Sequence, residues 1–437
     1  MISLLFPGLR RSLALLTCLG FSAGLATAAP ATHVIQVSLD GLGGYYLQFF
    51  VTNAPAQFPN FVRLTQESAY TFNARCDYDI SETVPNHATI FTGRPVMQPA
   101  GQPNTTHHGY NNNFPGSGDT FHLSGNANVK YKSSFFDVAH DYGLSTALYT
   151  GKTRLGICDR SYDGANGALD RVAEAGDNGL DKIDFASIAD VSGVNISNEV
   201  NTLIQNLTNA APRRYSFIHI AEPDLTGHSS GWRSANWSNA VRNVDTQLGR
   251  ILNVINANPT LSNNTALIVS ADHGGGVIAN GHSESYHVTN YTIPFFLRAP
   301  GVRGGSDIYS LFYNRGNPGT NRTDYNTPLQ PIRNGDGGNL ALTLLGLPPI
   351  PGSCIVPAMI TPGAPLFSAR CAGRLAVFWV DASGDNILEA AESFPANANQ
   401  WQPITGGIVT NDTTRVFTIT NATEISMRYF RLRKSGP

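Results

Sequence analysis

The sequence predicts an α/β protein with a mostly parallel central sheet, helices on both faces, and a small C-terminal all-β module. Three observations predict it. Short runs of β-branched and aromatic residues alternate with amphipathic helical patterns from His33 to about Leu347. Several of these runs end directly in acidic or imidazole residues. Beyond Gly373 alternating runs continue, separated by turn residues, and no helical pattern returns.

The chain has 437 residues, enough for a large core and an appended module. Residues 1–28 read as an export signal. Arg10 and Arg11 precede an apolar run from Leu13 to Leu25, and Ala26-Thr27-Ala28 supplies the small residues a signal peptidase needs. Gly20, Ser22 and Gly24 interrupt that run, which falls short of the ~20 apolar residues of a membrane span. The expected destination is the periplasm, the cell surface or the medium, with no transmembrane segment in the mature chain. Charged residues make up 14% and the net charge is −2, so no nucleic-acid-binding surface is expected.

Strands are expected at 34–39, 145–149, 215–220, 266–270 and 293–297. The clearest helix is 235–255, where Val241, Val244, Leu248, Ile251, Leu252 and Ile255 share one face. Others are expected at 60–67 behind Pro59, at 133–142, and at 338–345 before Gly346 and Pro348. Residues 29–350 thus form one expected domain. A Pro/Gly-rich stretch makes 351–372 a linker, and 373–437 the β module, with strands at 375–380, 415–419 and 425–432. Cys76, Cys158, Cys354 and Cys371 follow the signal. Proximity favours a 354–371 disulfide, which leaves 76–158 as the second pair.

The chemistry is concentrated where strands end. Asp40-Gly41 follows the first strand, and Glu222-Pro223-Asp224 with His228 follows the third. Asp272-His273-Gly274 comes just after the fourth, and Gly281-His282 precedes the fifth. Carboxyl ends of strands form the ligand crevice of open α/β sheets, so these residues are expected to converge. Asp and His are the donors that zinc and similar divalent ions accept, and two ions need about six to eight of them. A nucleophile is expected in Ser81-Glu82-Thr83-Val84-Pro85-Asn86-His87. Pro85 suits the start of a helix, and Thr83 there either caps the helix or attacks a phosphate cradled by its N-terminus. A threonine hydroxyl is a weak nucleophile at neutral pH, and coordination to a divalent ion is the remedy. Lys152, in Tyr149-Thr-Gly-Lys152 after the 145–149 strand, either reaches a substrate charge or, the preferred reading, is a solvated surface lysine.

Asp40-Gly41, Thr83-Val-Pro-Asn-His87 with Thr92-Gly93, Pro223-Asp224-Leu-Thr-Gly-His228 and Asp272-His273-Gly274 together resemble the alkaline phosphatase superfamily, in the family's order. The branch they are most similar to is the type I phosphodiesterase/nucleotide pyrophosphatase group. The resemblance implies that Asp40, Thr83, Asp272 and His273 hold one zinc ion, and that Asp224, His228 and His282 hold the other, with His287 the alternative to His282. It implies that Thr83 forms a phosphothreonine, and that Asn113, of Asn111-Asn112-Asn113, contacts a phosphate oxygen. His87 is expected to fix the geometry of Thr83, and His107 and His108 to be loop structure. The expected activity is metal-dependent hydrolysis of small phosphate esters, tilted towards diesters and pyrophosphates. Phosphomonoesterases and phosphonate hydrolases of the superfamily are the alternatives, followed by a non-catalytic surface-binding protein. Sulfatases place Cys or Ser in a Cys/Ser-x-Pro-x-Arg motif, whereas Thr83-Val-Pro-Asn-His stands here. The β module is expected to serve surface association.

Overall fold

The computed structural model describes residues 31–170, 179–190, 196–276, 280–359, 367–371, 374–380, 386–391, 400–411, 414–419 and 429–434. The expected export signal lies outside them. Among the described residues no helix is long and apolar enough to cross a membrane.

Eight strands form the central sheet: β1 (His33–Leu39), β2 (Ala69–Arg75), β3 (Thr146–Thr150), β4 (Ala186–Ile188), β5 (Tyr215–Ile220), β6 (Thr265–Ser270), β7 (Thr292–Arg298) and β8 (Ser306–Asp307). Their order is β4-β3-β5-β1-β6-β7-β2-β8. The run from β4 to β6 is parallel, and β7 is antiparallel to both β6 and β2. β1, β5 and β6 are buried along their whole length, as strands covered on both faces must be.

Among the described residues ten α-helices accompany the sheet: α1 (Gly44–Asn53), α2 (Pro59–Glu67), α3 (Thr83–Thr92), α4 (Phe135–Asp141), α5 (Gly156–Arg160), α6 (Ile196–Leu207), α7 (Glu222–Ser230), α8 (Ala235–Ala257), α9 (Val288–Tyr291) and α10 (Asp336–Leu344). α10 packs on β1 and β6 together with α3 and α4, while α8 packs with α2, α6 and α7. The expected apolar face of α8 is fully buried. Ser234 caps α8 by accepting from the Trp237 N–H, and Ser134 and Asp137 form a capping box on α4. α3 stops at Gly93, whose φ of 61° a side chain would strain.

Sequence patterning placed β1, β3, β5, β6 and β7 within a residue or so of their ends, but not β2, β4 or β8. β2 is half-exposed over part of its length, and β4 and β8 are three and two residues long, too short for a periodic signal. Residues of the expected linker bury against the α/β core: Ile355 and Ala358 are 3% and 1% exposed, and the Gly93 carbonyl accepts from the N–H groups of Cys354 and Ile355. Among the described residues of the C-terminal part seven strands form two antiparallel sheets: β9 (Phe367–Cys371), β10 (Arg374–Val380), β11 (Asn386–Ala391), β12 (Gln402–Pro403), β13 (Ile408–Asn411), β14 (Thr414–Ile419) and β15 (Tyr429–Lys434). β9 lies within the stretch expected to be linker, and Val377, Trp379 and Leu388 make a small core.

The 76–158 disulfide is not formed: Cys76 and Cys158 are both buried thiols. Cys76 sits at the end of β2, where its thiol faces the Asp77 and Asn290 carbonyls, and Cys158 belongs to α5. Pairing by elimination took no account of those positions. The Cys371 side chain, and with it the 354–371 pairing, lies outside what is described.

Candidate active site

β1 runs between β5 and β6, with Leu39 level with Ile220 and Ser38 level with Ser270. This register brings Asp40, the start of α7 and Asp272 to one sheet edge. Gly41 makes the closest approach possible: its φ is 69°, and a Cβ there would lie 2.9 Å from the Asp224 Cβ. The Gly41 N–H in turn donates to Asp272 Oδ1 at 3.1 Å, across 231 residues of chain.

Two groups of donors result, Asp40 with Asp272 and His273, and Asp224 with His228 and His282. Within each, ligand atoms lie within 4.8 Å of one another. His273 Nε2 is 3.5 Å from Asp40 Oδ1 and 3.4 Å from Asp272 Oδ2. His228 Nε2 and His282 Nε2 are 3.4 and 3.3 Å from Asp224 Oδ1. The three imidazoles are oriented alike. Each sets Nδ1 against a backbone carbonyl: His228 at Asn280 (2.8 Å), His273 at Gly274 (2.8 Å) and His282 at Ser81 (2.5 Å). A carbonyl only accepts, so Nδ1 carries the proton and Nε2 faces the crevice as a donor of electrons. Asn280 has φ of 55°, an uncommon conformation that aims its carbonyl at His228.

Thr83 opens α3, and its hydroxyl is not spent on capping: the cap position is Glu82, whose side chain makes no capping bond. Instead Thr83 Oγ1 lies 3.4 Å from His273 Nε2. His87, one turn on, sets Nδ1 2.7 Å from the Thr83 carbonyl and is wholly buried. Asn113 Oδ1 accepts from the Val84 N–H at 2.9 Å, so it flanks the nucleophile's own helix turn. His287 stands at the start of α9, its ring tilted against that of Tyr286 (4.7 Å between centroids), and is not part of either donor group. His108 is enclosed between Thr89 and the Tyr110 N–H as loop structure.

The electrostatics are severe. Asp40, Asp272 and His273 have no exposed surface and Asp224 has 1%; His228 alone of the six is half-exposed. Burial, then Asp40, pushes the Asp272 carboxyl well above the ordinary carboxylate range. Burial works the same way on Asp224, but Lys152, with His228 and His282, outweighs it and holds that carboxyl well below. Burial, aided by His282, lowers His273 to about 3, so it stands neutral. Asp40 Oδ1, Asp224 Oδ1 and Asp272 Oδ2 are buried and have no hydrogen-bond partner. Buried carboxylate oxygens facing imidazole Nε2 atoms are the kind of donor set that could hold divalent cations.

Lys152 corrects the surface reading. It is 3% exposed, and its ammonium lies 2.6 Å from both Asp40 Oδ2 and Asp224 Oδ2. Lys152 follows β3 as the acidic residues follow their strands, but a lone lysine there acquires its meaning only from β5 lying alongside. His219 was missed as well. It sits within β5, and its Nε2 is 2.8 Å from Asp40 Oδ2. Trp232 left no sequence signal: its indole N–H donates to the Gly41 carbonyl, and its ring stands edge-on to His228.

The model of the type I phosphodiesterase/nucleotide pyrophosphatase family matches residues 34–294, well over half the chain, and the protein belongs to that family. Mouse ectonucleotide pyrophosphatase/phosphodiesterase family member 3 is 29% identical over 247 residues, which are 55% of this chain and 24% of the relative. Among solved structures, murine ectonucleotide pyrophosphatase/phosphodiesterase 5 in complex with AMP aligns with TM-score 0.47 and 14% identity, covering 73% of this chain and 96% of that one. The phosphonate monoester hydrolase of Agrobacterium radiobacter aligns with TM-score 0.44 and 13% identity, covering 73% and 74%.

Proposed function

We propose that the protein is an exported, divalent-metal-dependent hydrolase of phosphodiesters or pyrophosphates that works through a phosphothreonine at Thr83. The observation that carries this reading is the set of three buried, unpartnered carboxylate oxygens ringed by imidazole Nε2 atoms beside a hydroxyl that caps nothing. Asp40, Thr83, Asp272 and His273 would hold one ion and Asp224, His228 and His282 the other, zinc by the chemistry of the donors. Two such ions supply positive charge that lowers the hydroxyl's pKa and neutralises phosphoryl oxygens.

The chain's own residues do the rest. His87 and the α3 backbone hold Thr83 at the crevice, with Oγ1 presented to an incoming phosphorus. Because Asn113 accepts the Val84 N–H through Oδ1, its amide NH2 is the half left to donate to a phosphoryl oxygen. The Thr83 oxygen forms a bond to phosphorus as the bond to the leaving oxygen breaks, and the proton lost by Thr83 reaches the leaving oxygen through solvent. Water then cleaves the phosphothreonine, restoring the hydroxyl and releasing the phosphorylated product. Export rests on the basic, apolar and small-residue order of residues 10–28.

Metal analysis with steady-state rates tests the reading. Thr83→Ala is expected to lower turnover by about 10⁴-fold or more while retaining most of the bound ions, whereas Asp272→Ala loses both. Equal ion loss in the two variants makes Thr83 structural. A clear preference for p-nitrophenyl phosphate over bis(p-nitrophenyl) phosphate would move the substrate class to monoesters.

A further inference from the structure

We infer that Lys152 is a positioning residue that ties the two donor groups together and makes Asp40 and Asp224 single-oxygen ligands. The inference rests on the two-ion reading of the site and adds to it a residue outside both donor groups.

The geometry is specific. The Lys152 ammonium is 2.6 Å from one oxygen of each carboxylate, Asp40 Oδ2 and Asp224 Oδ2, and is buried. His219 Nε2 also engages Asp40 Oδ2. The other oxygen of each carboxylate, Oδ1, has no hydrogen-bond partner, and it is Oδ1 that faces the imidazoles of its own group. Each carboxylate is thus divided between a structural and a ligating oxygen, and one ammonium does the dividing for both. The arrangement also offsets repulsion. Asp40, Asp224 and Asp272 are buried close together, and like charges so placed repel one another. Lys152 sits in the place that pairs two of the three. It arrives there because β3 is the neighbour of β5, so the residues after β3 reach the crevice floor beside Asp224.

This role differs from general stabilisation in what its loss would do. Without the ammonium, Asp40 Oδ2 and Asp224 Oδ2 become available to the ions, so coordination numbers rise. The metal-free form also loses the cation that separates its carboxylates, whereas the loaded form regains charge balance from the ions. A lysine that merely packed the crevice would weaken both forms equally.

The test compares wild type, Lys152→Met and Lys152→Arg as full-length protein, stripped with chelator and reloaded with cobalt(II) or zinc(II). In Lys152→Met we expect two ions still to bind and the visible cobalt bands to weaken about two-fold or more, the mark of a higher coordination number. The rise in Tm on zinc loading should be larger than in wild type, because the metal-free form alone is weakened. Lys152→Arg, which keeps a cation, should return the spectrum towards wild type. An unchanged cobalt spectrum with equal loss of Tm in both forms overturns the bridge, as does an unchanged spectrum with a loss confined to substrate KM, which gives the ammonium to the substrate. If Lys152→Met does not fold, the arginine variant decides: a wild-type spectrum supports the charge bridge, and an altered one with correct folding overturns it. Wild-type protein that takes up no ion at all would overturn the two-ion reading itself, which the variants do not touch.

Discussion

Two buried lysines show how differently the molecule treats charge in two regions. Lys132 closes the loop after Phe121. Its ammonium donates to the carbonyls of His122 (3.1 Å), Asn126 (2.9 Å) and Val129 (2.8 Å), three acceptors for its three protons. Beside it His122 is also complete, with Nε2 2.6 Å from the Ser161 carbonyl and Nδ1 accepting the Lys132 N–H at 3.1 Å. At the sheet edge Lys152 is as deeply buried, but the carboxylates it bridges each keep an unpartnered oxygen, as does Asp272, and His87 Nε2 is unpartnered nearby. Buried polar groups in folded proteins are almost always satisfied. A region where every donor meets an acceptor is structure, and a cluster of orphaned anions is a place prepared for something else.

The contrast can be broken in three ways. The largest effect is expected from Lys132→Met, which strands three carbonyls in the interior. Unfolding free energy should fall by roughly 3–5 kcal/mol in denaturant titrations, with turnover per folded molecule unchanged. A loss below ~1 kcal/mol would mean that water replaces the ammonium.

A smaller effect is expected from pH. Burial, opposed by the Ser161 carbonyl and joined by Lys132, holds His122 at about 4 against an ordinary 6.5. The folded state therefore binds fewer protons than the unfolded chain between those values. The stability tied to the neutral ring is complete above about pH 6.5 and is lost as pH falls towards 4. The loss is on the order of 3 kcal/mol. His122→Gln should flatten that segment of the stability profile, and an unaltered slope would assign it to other groups.

The smallest effect has the opposite sign. Asp272 is the carboxylate without a lysine partner, and burial with Asp40 nearby raises its pKa. In chelator-stripped protein Asp272→Asn should stabilise by about 1–2 kcal/mol, since the amide oxygen keeps the Gly41 and His273 N–H bonds while the buried charge disappears. A destabilised variant would show that the carboxylate already has a compensating partner in the metal-free protein.

How much of this was legible beforehand follows from the range over which each signal acts. Local patterns carried the strands that are buried along their length and the long helix 235–257, because apolar periodicity reports which face is covered. They also marked Asp40, Thr83, Asp224, His228, Asp272, His273 and His282 by their places at or near strand ends or at the start of a helix, and the structure brings these residues to one crevice. They did not carry Lys152 or His219. A single lysine after a strand, or a single histidine within one, has no periodicity to mark it, and its meaning depends on which strand lies alongside.

By itself the sequence determined the kinds of donor, their order along the chain, and the strand ends on which they sit, because backbone propensity and burial act over a few residues. Only the tertiary structure decided their company. The order β3-β5-β1-β6 and its register set Asp40 between Lys152, Asp224 and Asp272, and no local rule fixes the neighbour of a strand hundreds of residues away. That placement, rather than any motif, is what leaves three carboxylate oxygens buried without partners beside Thr83.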